Sequence, residues 1–182
     1  IDTLFGLPEL DLPVVALNRG TVPPPPGSAA FALSPEDEGA AAADRLMDRG
    51  LRSVLVVTQA DDTAQRALGA FRERYTALGG QVLKEVTVSE ANPDYVPALQ
   101  AALAGARPDA LFLSLKAAQA RLLSSQMDTA GLIGVPRVAT SLILSGANLR
   151  MDTELDGIEY PELPWLLGLR GGMPDPDTLG QT

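Results

Sequence analysis

A chain of 182 residues, 46% apolar and 20% charged, with 17 glycines and 15 prolines, carries enough apolar content to bury one domain-sized core. Disorder, collagen-like structure and, for want of about 18 consecutive apolar residues, a membrane-spanning helix are excluded, and a formal charge of −9 opposes contact with phosphate backbones, so no nucleic-acid partner is expected. The sequence contains neither histidine nor cysteine. Imidazole bases, Ser-His-Asp and Cys-His nucleophiles, disulfides, iron–sulfur clusters and the usual zinc ligand sets are thereby removed, so no metal and no cofactor is expected.

The first β-favouring run is Leu12-Pro13-Val14-Val15-Ala16-Leu17, which predicts a strand over about 13–17 with its proline at an end or edge. Asn18-Arg19-Gly20 and Pro23-Pro24-Pro25-Pro26-Gly27-Ser28 follow as an extended connector, since proline fixes φ and supplies no N–H. A stiff surface loop explains the tetraproline more simply than an SH3-type ligand does. Ser34-Pro35-Glu36-Asp37 then opens a helix of roughly 35–49 with serine as N-cap, proline at the first helical position and acids at the positive dipole end. Gly50 ends that helix, and Arg52 to Val57 reads as a strand covered on both faces.

The same cycle then repeats. Leu68, Phe71, Tyr75 and Leu78 mark a helix stopped by Gly79-Gly80, and Val82 to Val88 is the next strand. Asp94 or Asn92 is expected to cap a helix bearing Val96, Leu99 and Leu103, with Pro97 in its first turn, before a buried strand from Asp109 to Leu113. Ala120, Leu123, Met127 and Ala130 form a helix face ending at Gly131, and Arg137 to Ser141 is a fifth strand. Strands alternating with helices of about 12–15 residues predict an α/β fold: three layers, α/β/α, around a mainly parallel sheet. The rhythm stops after Ser141. Asp152 to Glu162 reads as an acidic loop with a short edge strand near Ile158, and the tail from Gly168 reads as a linker. The expected organisation is residues 1–30 as the end of a first lobe plus the proline-rich connector, 31–167 as the α/β lobe, and 168–182 as the departing linker.

No G-x-G-x-x-G, G-x-x-x-x-G-K-[ST] or G-x-S-x-G motif is present. In an open parallel sheet, ligands collect at the carboxyl ends of strands, which nominates Thr58, Asp61, Asp62, Ser114, Lys116 and Ser141. Helix capping is the simpler role for Asp61 and Asp62. Ser114 and Lys116 would form a Ser–Lys nucleophile pair only with a strongly depressed lysine pKa, which nothing nearby in sequence supplies. The acids from Asp152 to Glu162 lack EF-hand spacing and read as a solvated face rather than a carboxylate pair for hydrolysis. Trp165 belongs to the core or to a partner-facing patch. The chain begins at Ile1 without a basic and apolar leader, which suggests a processed chain or an excised piece.

The whole pattern resembles the second lobe of type I periplasmic-binding-protein folds, the group that includes leucine/isoleucine/valine-binding proteins. The matching text is Phe31 to Glu38 with its alanine-rich helix, Val54 to Val57, Phe71 to Gly80, Asp94-Tyr95, Pro108-Asp109-Ala110 and Gln126. More narrowly, Val15-Ala16-Leu17-Asn18-Arg19, Leu33-Ser34-Pro35-Glu36-Asp37-Glu38 and Leu155 to Leu166 are similar to the LppC/LpoA family of outer-membrane lipoproteins. That resemblance implies a non-catalytic regulator in the periplasm that activates a class A penicillin-binding protein, a peptidoglycan synthase, by direct contact. Membrane attachment is implied only through a lipid-bearing cysteine that is absent from this chain. It also implies a bilobal domain in which a small-molecule ligand would lie in the interlobe cleft. Glu159 and Tyr160 are further ligand-cleft candidates. The alternative is a small-solute binding module for an amino-acid-like or sugar-like ligand; an enzyme working only through carboxylates is a third.

Overall fold

The computed structural model describes residues 1–7, 10, 12–16, 22–30, 34–105, 107–144 and 153–162. Trp165, Asp152 and the tail from Gly168 lie outside them. A short helix α1 (Asp2–Phe5) precedes two two-residue strands, β1 (Val15–Ala16) and β2 (Ala29–Ala30), which pair in parallel as a separate ribbon. Then follow α2 (Pro35–Asp48), β3 (Ser53–Gln59), α3 (Asp62–Ala77), β4 (Gln81–Val88), α4 (Val96–Leu103), β5 (Ala110–Ser114), α5 (Ala117–Ala130), β6 (Arg137–Ala139) and β7 (Ile158–Glu159). The last five strands form one sheet in the order β4-β3-β5-β6-β7, with every pairing parallel.

Two apolar layers follow from the alternation of side chains along each strand. Val54, Val56, Ala110, Phe112 and Val138 face Leu46 of α2 and Phe71 and Tyr75 of α3. Leu55, Val57, Leu111 and Leu113 face Leu99 of α4 and Leu123 and Met127 of α5. The sheet is therefore covered on both sides, as the continuous apolar text of β3 and β5 requires. On the first face Phe71 stacks on Phe112 with ring centres 3.9 Å apart and on Tyr75 at 5.1 Å. The Tyr75 hydroxyl donates to the Leu51 carbonyl at 2.8 Å, and burial, with Asp109 nearby, pushes its pKa up to about 12.

Local chemistry explains most boundaries. Ser34 caps α2 by accepting the Asp37 N–H at 3.1 Å. Gly131 ends α5 at φ +82°, a conformation other residues rarely adopt, and the Leu132 N–H closes on the Met127 carbonyl at 2.8 Å. Three expectations need correction. The N-cap position of α4 is Tyr95, because Asn92 and Asp94 spend their side chains on local turns to the Asp94 and Val96 N–H groups. That helix has eight residues, shorter than its neighbours. β6 stops at Ala139, because Ser141 already begins a 3-10 turn, Ser141–Leu144.

Candidate functional site at the strand ends

The connection through α3 carries the chain from β3 to β4 on one side, whereas α4 and α5 cover the other face and carry it to β5 and β6 on the opposite side. The direction of winding thus reverses between β3 and β5. A ligand crevice is expected at the carboxyl ends of the strands at such a reversal. Thr58 and Ser114 pair across it, and Thr140-Ser141 follows β6 one strand away.

The protein's own side chains engage this edge. The Gln59 amide nitrogen donates to the Asp61 carboxylate, and its oxygen accepts the Lys116 backbone N–H at 3.1 Å. Gln59 therefore straps the loop after β3 to the start of α5. Asp61 is the N-cap of α3, its other oxygen accepting the Ala64 N–H at 2.9 Å. Burial works against its charge, yet hydrogen bonds from Gln59 and Ala64 and the nearby Lys116 ammonium hold the carboxyl below the usual carboxylate range. Asp62 is exposed and sits 3.8 Å from Arg66 one turn on.

Ser114 is fully buried, and its hydroxyl donates to the Ala64 carbonyl at 3.2 Å. Lys116 is exposed. Because β5 ends at Ser114, the alternation that would place serine and lysine side by side lapses, and no nucleophile pair forms. Thr58 is buried and accepts from Gln65 Nε2 at 3.4 Å. Ser141 donates both its N–H and its hydroxyl, each at 2.6 Å, to the carboxylate of Glu38, a residue of α2 only 9% exposed. Such an arrangement captures a carboxylate, and here the carboxylate belongs to the chain.

Glu159, the last residue of β7, and Tyr160 after it lie two strands beyond β5, and Tyr160 lines a hollow of about 210 Å³ with Ile143 and Leu144 of the turn that Ser141 opens. Glu159 pairs with Val138 in mid-β6 and is held by Arg45 Nε at 2.6 Å and by Arg49, the first in the last turns of α2 and the second at its C-cap. Glu159 fastens the segment to the lobe there, whereas Glu154 and Asp156 stay exposed, in keeping with the reading as a solvated face. With Tyr160, Arg45 and Val138, Glu159 lines a hollow of about 190 Å³.

Glu38, Gln59 and Thr140 were not singled out from sequence. Thr140 is buried, with a hydroxyl that has no partner among the described residues. Glu38 had a signal: it precedes Ala42 and Leu46 by four and eight residues and so shares the buried face of α2, where a carboxylate needs donors.

A five-stranded parallel sheet, covered on both faces and with polar side chains at a winding reversal, is a doubly wound α/β lobe, the class to which type I periplasmic-binding-protein lobes belong. The model of the periplasmic binding protein family matches residues 8–177, and the chain belongs to that family. Within it the relatives point to an LpoA-like member. The penicillin-binding protein activator LpoA of Haemophilus ducreyi is 26% identical over 159 residues, 86% of this chain. The chain spans 27% of that relative's length. Full-length LpoA from Haemophilus influenzae superposes with a TM-score of 0.72 at 22% identity, over 93% of this chain and 31% of that one. A proposed branched-chain amino acid ABC transporter from Chromobacterium violaceum superposes at 0.71 with 30% identity, over 90% of this chain and 52% of that one.

Proposed function

We propose that this lobe belongs to a periplasmic, outer-membrane-anchored regulator that activates a class A penicillin-binding protein by direct contact, and that it performs no catalysis itself. The observation that carries the reading is the likeness to the activator LpoA along 86% of the chain. The C-terminal domain of LpoA from Haemophilus influenzae, described as a regulator of PBP1A, superposes with a TM-score of 0.69 at 22% identity over 92% of this chain. The geometry of the strand ends is in keeping with it. Gln59 spans the crevice and Glu38 takes the Ser141 donors, so groups that would hold a solute are already engaged within the chain. Activation requires that the regulator bind the active state of the synthase more tightly than the inactive one; tight binding alone shifts nothing.

The test is titration of a purified class A synthase with the full-length protein, reading glycan polymerisation and crosslinking rates. A saturable rise in rate supports the proposal; stoichiometric binding without any change in rate, or no binding, sinks it. The second reading, a small-solute binding module, has one specific observation in its favour, the 30% identity to the Chromobacterium violaceum structure. A solute retained by the full-length protein after gentle purification, and lost when Thr58 or Lys116 is substituted, would establish that reading instead.

A further inference from the structure

A further hollow lies at the opposite end of the sheet from Ser141. It is a groove of about 450 Å³ between the C-terminal end of α5 and the start of β6, within the range of about 300–1,000 Å³ usual for small-ligand sites. Arg137, the first residue of β6, lines it. Three residues of β-strand advance the chain by about 10 Å, so this groove and the strand-end crevice are separate places.

Arg137 is unlike the arginines on α2, at its C-cap and on α3. Arg45, Arg49, Arg66, Arg72 and Arg74 each face a carboxylate. Arg137 is half-buried, and among the described residues its guanidinium meets only neutral groups. Nη1 reaches the Ser124 hydroxyl at 3.0 Å and, weakly, the Met127 sulfur at 3.9 Å; Nη2 reaches the Asp156 carbonyl at 2.6 Å. These contacts fix the fork in place and leave the charge without a counter-ion. Burial accordingly lowers the Arg137 pKa from its ordinary value. A desolvated, oriented guanidinium with donors to spare is the group that recognises a carboxylate.

A plain anion does not satisfy the rest of the groove. Asp128 and Glu154, both exposed, also line it and would repel a purely negative ligand. One fixed cation with two flanking carboxylates matches a molecule that carries a carboxylate and an ammonium a few bonds apart. The apolar share of the wall, Ile133, Val135 and Pro136, accepts small aliphatic groups between them. We infer that this groove is a second binding site, distinct from the strand-end crevice, for a zwitterionic amino acid or short peptide whose carboxylate sits on Arg137 and whose ammonium sits on Asp128 and Glu154.

The test is calorimetric titration of the full-length protein with dialanine, with acetate and ethylamine as single-charge probes. The expected result is saturable dialanine binding, with acetate and ethylamine at least tenfold weaker. The double variant Asp128→Asn/Glu154→Gln changes only exposed residues and should weaken dialanine at least tenfold, as should Arg137→Gln, whereas Lys116→Ala at the other edge should leave it unchanged. Absence of saturable dialanine binding overturns the inference. So does binding that survives the double variant, acetate binding as tight as that of dialanine, or loss of binding in Lys116→Ala.

Discussion

Gly39 sits in the middle of α2, where glycine would ordinarily weaken a helix. A Cβ built there would fall 2.1 Å from the Ala67 carbonyl oxygen of α3, so the two helix backbones touch at this point. Gly39→Ala forces α2 away from α3 and should destabilise the fold by about 1–3 kcal/mol or more, despite the better helix propensity of alanine, as read by urea unfolding. Asp109 shows a second residue-scale device. Its carboxylate accepts the Ser53 N–H at 2.9 Å and the Arg52 N–H at 3.1 Å, tying the entry of β3 to that of β5. Hydrogen bonds from Ser53, then from Arg52, hold its carboxyl below the usual range. The unfolded chain therefore binds the proton more readily, near the ordinary aspartate pKa of about 3.9. The stabilisation is complete above that pH and is lost as pH falls through the lower, folded pKa. The urea midpoint should drop on the acid side from about pH 5 downwards, and Asp109→Asn should flatten part of that slope; an unchanged slope would contradict the role given to this carboxylate.

At the scale of elements, α2 depends on its first turn. Ser34 is buried and caps the helix, and Glu36 meets Arg66 of α3 through two hydrogen bonds of 2.7 and 3.0 Å. Ser34→Ala should lower stability by roughly 1 kcal/mol, measurable as a fall in thermal midpoint without loss of the fold. The cap of α2, the αL stop of α5 and the doubly covered strands β3 and β5 were all legible in the sequence, because each rests on neighbours a few residues apart. The ribbon strand β2 was not: Ala29-Ala30 carries no strand preference and forms only by pairing with β1. The cap of α4 was misread because Asn92 and Asp94 make turns that compete with capping. The strand-end rule located Thr58, Ser114 and Ser141, whereas the side chains that engage that edge were hidden by distance. Gln59 meets Lys116 across 57 residues and Glu38 meets Ser141 across 103, and no local pattern reports such pairings.

Across the whole molecule, the net charge of −9 is unevenly spent. Ion pairs link α2 to α3 through Arg66–Glu36 and Arg74–Asp44, and α3 to β4 through Arg72–Glu85, all at the surface, where each contributes little to stability. The Glu159 clamp differs, since it joins residues 110 and 114 positions apart and fastens the last strand of the sheet. The strand order gives that clamp a place in time. β3 and β4 meet first along the chain, and β5, β6 and β7 then add one after another to the same growing edge. Such a sheet can assemble in the order in which its strands become available, with the docking of β7 as the final event. Interactions made only after the folding barrier act on the escape rate. Glu159→Ala should raise the unfolding rate several-fold in stopped-flow experiments while leaving refolding unchanged; a slowed refolding limb would place β7 in the nucleus instead. The two arginines at the end of α2 would then serve as a kinetic fastener, setting how long the finished lobe stays closed rather than how fast it forms.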